Sequence, residues 1–260
     1  MFLMLACNSQ YPAVNKQDFD IWALHCKFQD RPHVDEAKVN LQREGSIVKN
    51  DMTKKIDTAK NEMLRFQFVE VIFRLAELCY QNDIKQDDKS GSKSSTKKKK
   101  GGKIYMFQAI TKLFKDHIDP ADHEIADAAD FRDKYLYTYR VNQYLERNEN
   151  VLKKIHSEYN HAGKFYLDPT EAIYFVQQTA GLSFITERSI LNMYGLSKQS
   201  TIDFSKTPYF AKEMYFVEFL EFFGRLAFLT FYQEVDAWRN LTLQEKIDGL
   251  LAHYCKKLRL

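Results

Sequence analysis

The residues best suited to metal chemistry in this chain are crowded into one short segment. His117, Asp119, Asp122, His123 and Glu124 offer imidazole and carboxylate ligands within residues 117–124. Aspartate side chains at such positions also cap the first turn of a helix, which accounts for Asp119 and Asp122 without a metal. We therefore expect a structural role for this segment and assign no metal site.

Two cysteines could act as nucleophiles. Cys26 follows His25, and Cys79 lies in an apolar stretch. A reactive thiol needs a partner base, and neither cysteine has one at a recognisable spacing, so buried cysteines are expected. The sequence also lacks a glycine-rich phosphate loop, an H-E-x-x-H motif and a G-x-S-x-G motif. We expect a protein that is not an enzyme and has no cofactor.

A run of basic residues lies in a polar segment rich in Ser, Gly and Lys. Lys97, Lys98, Lys99 and Lys100 form this run within residues 81–103, which contain no aromatic residue. Such a composition predicts a disordered linker. The lysines could be a nuclear signal, a nucleic-acid contact, a solvated linker face or a tether to an acidic surface such as a microtubule.

Composition narrows the class of protein. The formal net charge is only +3 over 260 residues, too small to make the whole chain a nucleic-acid binder. Cys7, Cys26, Cys79 and Cys255 lie far apart and form no C-x-x-C pair, which suits a reducing compartment. No uncharged apolar run is long enough for a membrane span. We expect a cytoplasmic protein.

The pattern of apolar residues predicts an all-α protein. The chain has 20 Phe and 15 Tyr but only nine Gly and five Pro, which favours long helices over many turns. Helix starts are predicted where Asp119 and Asp168 each precede a proline, and where Thr242 stands three residues before Glu245. The helix after Thr242 carries one apolar stripe, consisting of Ile247, Leu250, Leu251, Tyr254 and Leu258.

An internal repeat is the strongest signal in the sequence. Residues 62–76 (EMLRFQFVEVIFRLA) align without a gap to residues 213–227 (EMYFVEFLEFFGRLA) at an offset of 151, with seven of fifteen positions identical. The same offset pairs residues 34–36 with 185–187. A shift of two residues pairs Val14–Trp22 with Leu167–Phe175. Three matches in the same order predict a duplication.

The start of the last helix in each repeat resembles the end of an EF-hand calcium loop. That loop has an apolar residue at position 8, a glutamate at position 12 and then Phe-Leu. The corresponding residues here are Met214, Glu218, Phe219 and Leu220; Met63, Gln67, Phe68 and Val69; and, in the loop 160–171, Leu167 and Glu171. The resemblance covers residues 11–80 and 147–232 and implies two EF-hand-like lobes.

The calcium chemistry of the EF-hand does not carry over. Calcium needs six to eight oxygen ligands, which the loop supplies from positions 1, 3, 5 and 12, and a glycine at position 6. The loop 207–218 has Thr207, Tyr209 and Ala211 at the first three of these positions. The other loops are equally poor in carboxylates, and the loop 160–171 has Lys164 at position 5. We expect calcium-incompetent lobes, and that Glu218→Gln costs less than about 1 kcal/mol.

The F-x-E-x-x-x-R-L-A pattern of the two helices is similar to EF-hand-like proteins of ciliary axonemes. That resemblance implies a structural subunit of a microtubule-associated assembly, with tubulin and axonemal proteins as partners in a cilium or flagellum. The residues expected to form the core or the interfaces of the repeat helices are Phe68, Glu70, Arg74, Phe219, Glu221, Phe222, Phe223 and Arg225. Two alternatives remain open: a calcium-regulated calmodulin-like adaptor, and a helical adaptor of a nucleic-acid complex.

The predicted organisation has five parts. They are a first lobe (1–80), a disordered linker (81–103), a helical connector (104–146), a second lobe (147–240) and a C-terminal amphipathic docking helix (241–260). The helix 216–232 is apolar on nearly every face, so it is either the centre of its own lobe or partly covered by another chain. Its twin at 66–80 has the same character.

Overall fold

The protein is mostly helical and forms two compact units. A computed structural model describes residues 2–7, 11–47, 62–84, 104–121, 128–160, 163–179, 182, 184–198, 208–231 and 240–260. The first unit consists of Met1–Phe2 and Ala13–Glu124, and the second of Leu3–Pro12 and Ile125–Leu260.

The first unit is built mainly from four helices. Helix α1 (Phe2–Ala6) begins the described chain and is shared between the two units. The four main helices are α2 (Lys16–His25), α3 (Glu36–Ser46), α4 (Arg65–Tyr80) and α5 (Met106–Leu113). A 3₁₀ turn (Phe28–Asp30) follows α2, and a π-helical stretch (Phe114–Ile118) leads from α5 into the short α6 (Asp119–Ala121).

The core of the first unit is aromatic and is organised around α4. The rings of Trp22 on α2 and Phe68 on α4 lie 5.1 Å apart, and Phe28 packs on Trp22 at 5.5 Å. An antiparallel bridge joins Val14 to Met63, with both backbone N–H groups donating at 2.8–2.9 Å. Residues just before α2 and α4 are thus held side by side.

Helix α5 packs along α4, and a backbone bridge joins the residues that immediately precede and follow residues 85–103. Ile84 and Ile104 form a bridge, and the Ile104 N–H donates to the Asp83 carbonyl at 2.6 Å. The predicted N-cap at Asp119 is wrong. This residue has helical backbone angles (φ −58°, ψ −41°) because the π-helical stretch continues into α6, whereas an N-cap is extended.

Among the described residues, the second unit contains more helices than the first. Its helices are α7 (Ala128–Phe131), α8 (Tyr139–Arg147), α9 (Glu149–Tyr159), α10 (Pro169–Gln177), α11 (Glu187–Ser197), α12 (Phe216–Thr230) and α13 (Leu243–Leu258). A π-helical stretch (Arg132–Leu136) follows α7, and a 3₁₀ turn (Pro208–Lys212) precedes the strand before α12.

A two-stranded antiparallel sheet lies beside the core of the second unit. Strand β1 (Tyr166–Leu167) pairs with β2 (Met214–Tyr215), so that Leu167 lies opposite Met214. The Tyr194 hydroxyl on α11 donates to the Leu167 carbonyl at 2.9 Å. This small sheet adds to the predicted all-α architecture.

The centre of the second unit is α12, whose inner residues pack against α10 and α13. Phe175 on α10 stacks on Tyr254 of α13 at 4.5 Å and contacts Phe219 of α12 at 5.6 Å. Phe222 and Phe223 have no exposed surface. The sequence left two alternatives for this helix: the centre of its own lobe, or a helix partly covered by another chain. The burial of these residues agrees with the first alternative for the inner face of α12.

Two predicted segments can be located among the described helices. The first part of the connector 104–146 forms α5 in the first unit, and the remainder belongs to the second. The C-terminal docking helix is α13, and its apolar stripe packs on α12 within its own unit. Among the described residues, no helix is both long enough and apolar enough to cross a membrane.

Candidate interaction site

The predicted loop position 12 residues sit three residues inside their helices and bond back to the helix start. At α10, the Asp168 side chain accepts from the Glu171 N–H at 2.9 Å, and Glu171 accepts from the Asp168 N–H at 2.8 Å. The Lys164 ammonium lies 3.2 Å from Asp168 and 3.4 Å from Glu171, and these contacts, led by the bond to Asp168, raise the pKa of Lys164. Both carboxylates of this junction therefore already face a positive charge.

The junction at α12 uses the same chemistry with a lysine from another helix end. Glu218 accepts from the Tyr215 N–H at 3.0 Å and from the Lys198 ammonium at 2.6 Å. Lys198 follows α11 and also donates to the Glu213 carbonyl. The two paired side chains are 7% and 11% exposed. Burial lowers the pKa of Lys198, and Glu218 opposes that shift.

In the first unit, amide side chains cap the corresponding helix starts. The Gln67 side-chain oxygen accepts from the Leu64 N–H at 2.8 Å at the start of α4. At the start of α2, Asn15 accepts from the Asp18 N–H at 2.8 Å. Gln67, the predicted position 12 residue, is buried, as is Asp18, which the two-residue shift aligns with Glu171.

The predicted aromatic residues of the repeat helices all point inward. Phe68, Phe219, Phe222 and Phe223 are at most 2% exposed. Phe219 also lies 5.1 Å from the ring of His156, whose pKa is lowered by burial. These residues form cores rather than free surfaces.

The predicted Glu–Arg pair of α12 is buried in a triad. Arg225 donates from Nε to Glu221 at 2.9 Å, and Arg132 donates from Nε to both Glu221 oxygens at 2.8 and 3.0 Å. Arg132 also donates to the Leu196 carbonyl at 2.9 Å. The Phe131 ring lies 4.4 Å from the Arg225 guanidinium, so residues 131–136 cover this pair.

The matched pair of α4 is open to solvent. Arg74 donates to Glu70 Oε1 from Nε at 2.9 Å and from Nη2 at 2.6 Å, and these side chains are 40% and 46% exposed. Around them, Phe66, Val69 and Phe73 are 37%, 49% and 48% exposed. We name these five residues the α4 outer face. Large exposed apolar side chains grouped on one helix face are typical of interaction sites.

Comparison of the chain with protein-family models, with curated proteins and with solved structures finds no match. The case for a function therefore depends on the geometry of the chain itself.

The residues first considered for chemistry have structural partners. His117 bonds through Nδ1 to the Cys26 carbonyl at 3.0 Å and accepts at Nε2 from Arg31 at 3.2 Å, so neither nitrogen is available to a metal. Cys26 and Cys79 are buried thiols, and burial raises the pKa of Cys79 to about 11, which disfavours the nucleophilic thiolate. Within the described ranges, no group of three His, Cys, Asp or Glu side chains could hold a metal ion.

The remaining residues that the sequence suggested for a metal site or a basic tether lie outside the described residues. They are Asp122, His123, Glu124, Lys97, Lys98, Lys99 and Lys100.

Two residues that matter at this site escaped prediction. Lys198 meets Glu218 across 20 positions, and Arg132 meets Glu221 across 89. Separations of this length leave no periodic signal in a sequence. Lys164 was visible at loop position 5, but its bonds to Asp168 and Glu171 required the fold.

Proposed function

We propose that this protein is a non-enzymatic structural subunit in which two EF-hand-like lobes, related by duplication, pack against other proteins without calcium. The observation that carries the proposal is that Glu171 and Glu218, at the loop position that calcium would use, instead cap their helices and pair with Lys164 and Lys198. An ammonium group beside each carboxylate supplies the charge that a cation would otherwise bring.

Matched geometry supports the duplication. Helices α3 and α11 begin and end at residues 151 apart, and α4 and α12 begin 151 apart. The bridge of Val14 with Met63 corresponds to that of Leu167 with Met214. The contact of Trp22 with Phe68 likewise corresponds to that of Phe175 with Phe219. Helix ends, bridges and ring contacts that recur at offsets of 151 and 153 residues support a duplication.

The proposed setting is a cytoskeletal assembly, with an axonemal microtubule doublet as the specific case. The similarity of the F-x-E-x-x-x-R-L-A helices to axonemal EF-hand-like proteins supports this setting, as does the exposed α4 outer face. The Lys97–Lys100 run would add electrostatic attraction to an acidic polymer such as a microtubule.

Co-sedimentation with stabilised microtubules tests this proposal. We expect the purified protein to pellet with microtubules equally in calcium and in chelator, and replacement of Lys97–Lys100 by serine to weaken pelleting at low salt. A matched control replaces four exposed lysines, Lys115, Lys154, Lys212 and Lys256, by serine. Binding to duplex DNA without microtubule binding would favour a nucleic-acid adaptor, and pelleting only with calcium would favour a calcium-regulated one.

A further inference from the structure

The two matched long helices differ in what covers them. On α12, residues 131–136 lie over Glu221 and Arg225. On α4, the equivalent Glu70 and Arg74 are about half exposed. The Glu–Arg pair of α12 is thus enclosed, whereas the matched pair of α4 is exposed to solvent.

The hydrogen-bonding capacity of the open pair is only partly used. Both bonds from Arg74 go to Glu70 Oε1, and no described residue donates to Oε2. On α12 the corresponding oxygen, Glu221 Oε2, accepts from Arg132 at 2.8 Å. Arg132 also bonds to the carbonyl of Leu196, which is 151 residues after Gly45. From these matched positions we expect that a guanidinium placed over α4 would pair with Glu70 Oε2 and lie close to the Gly45 carbonyl.

Based on the proposed function, we propose that the α4 outer face binds a helix of a partner protein that directs an arginine at Glu70. An aromatic residue immediately before that arginine would cover the Arg74 guanidinium, as Phe131 covers Arg225. The apolar side chains of Phe66, Val69 and Phe73 would be buried by the rest of this helix.

The side chain at residue 73 limits the size of one residue of the partner helix. Residue 73 is Phe where α12 has Gly224, and a Cβ at Gly224 would lie 3.1 Å from Leu136 Cδ1. The partner therefore needs a small residue four positions after its arginine, where the chain's own segment has Leu136. This excludes residues 131–136 of a second copy, which in addition are already bound to α12.

Fluorescence anisotropy with the full chain tests the inference. The probe is a labelled, helix-stapled peptide with the sequence of residues 125–138 and Leu136→Ala, which leaves room for Phe73. We expect saturable binding that weakens about tenfold with Glu70→Gln in the protein or Arg132→Gln in the peptide. Phe73→Ser should weaken binding similarly, and the peptide that keeps Leu136 should bind less tightly. Glu158→Gln, an exposed carboxylate on α9, is the matched control and should change nothing.

Three results would overturn the inference. The first is no saturable binding, and the second is equal affinity of the Glu70→Gln and Glu158→Gln proteins. The third is self-association of the chain, measured by sedimentation, that Phe73→Ser abolishes, because the occupant would then be a second copy. Peptide binding that needs calcium but also depends on Glu70 would instead contradict the proposed calcium-independent function and leave the docking surface in place.

Discussion

Lys198 and Glu218 form an ion pair whose side chains are almost withdrawn from solvent. The ammonium also donates to the Glu213 carbonyl, while Glu218 caps the Tyr215 N–H. Removing charges from water is costly, and the attraction between them compensates only while both are present. Glu218 therefore stabilises a junction of loop and helix, and neutralising one partner leaves the other charge buried.

This pairing changes the cost expected for Glu218→Gln. From the sequence we expected less than about 1 kcal/mol, and with Lys198 left unpaired we now expect about 2 kcal/mol. Lys198→Met should cost a similar amount, and the double variant less than the sum of the two. A double-mutant cycle by urea denaturation measures the coupling. Strict additivity of the two substitutions would show that the pair contributes nothing to stability.

The matched rings of Phe68 and Phe219 provide a second test at the residue scale. Each ring is buried at the start of its long helix, so Phe→Ala leaves a large cavity. We expect each substitution to lower the free energy of unfolding by about 3–5 kcal/mol. Phe165→Ala is the control, because this ring is 83% exposed. Wild-type denaturation midpoints for both core variants would contradict the inward placement.

At the scale of elements, the matched Glu–Arg pairs of α4 and α12 are expected to contribute differently to the stability of the protein. Glu221 and Arg225 are buried beneath residues 131–136, whereas Glu70 and Arg74 face solvent. Exposed ion pairs contribute little because water and salt screen them, while a buried charge depends on its partners. The covering segment therefore determines how much the pair matters to stability.

Matched substitutions test this contrast. Glu221→Gln should lower the free energy of unfolding by about 3–5 kcal/mol, because the buried Arg225 and the partly buried Arg132 lose their shared carboxylate. Glu70→Gln should cost less than about 1 kcal/mol. Chemical denaturation of both variants compares them directly. Equal costs would mean that residues 131–136 do not enclose Glu221.

The junction of α9 and β2 predicts a dependence on pH. His156 packs against Phe219 and its Nε2 lies 3.4 Å from the Met214 carbonyl. Burial lowers its pKa below the unfolded value of about 6.5, so the unfolded state binds the proton more readily. Stability is therefore retained above pH 6.5 and lost as the pH falls below it.

Thermal unfolding from pH 7.5 to pH 5.5 measures this effect. His156→Phe keeps a ring at the position and removes the titrating group, so its melting temperature should fall less over that range than that of the wild type. Parallel declines in the two proteins would assign the pH dependence to other groups.

Short capping patterns in the sequence predicted the starts of two helices correctly and the start of a third wrongly. The starts of α10 and α13 were predictable because Asp168 with Glu171, and Thr242 with Glu245, form capping boxes from neighbours in the chain. Asp119 carries the same Asp-Pro signal, but packing continues the preceding helix through it. The Glu–Arg pair is exposed on α4 and buried on α12. This difference was not predictable, because the residue that covers Glu221 lies 89 positions away from it in the sequence.

At the scale of the whole molecule, the predicted position 12 residues Gln67, Glu171 and Glu218 all accept a backbone N–H at the start of their helices. In the second unit Lys164 and Lys198 face Glu171 and Glu218. In the first unit Gln67 replaces the glutamate altogether. We propose that these helix starts are held in place without a metal ion.

Calorimetric titration of the full chain with Ca²⁺ tests that claim most directly. We predict no saturable heat at calcium concentrations up to the millimolar range, because the glutamates that would bind calcium are already occupied by helix N–H groups and ammonium groups. A saturable site tighter than about 10⁻⁵ M, in the range of calcium sensors, would contradict the account.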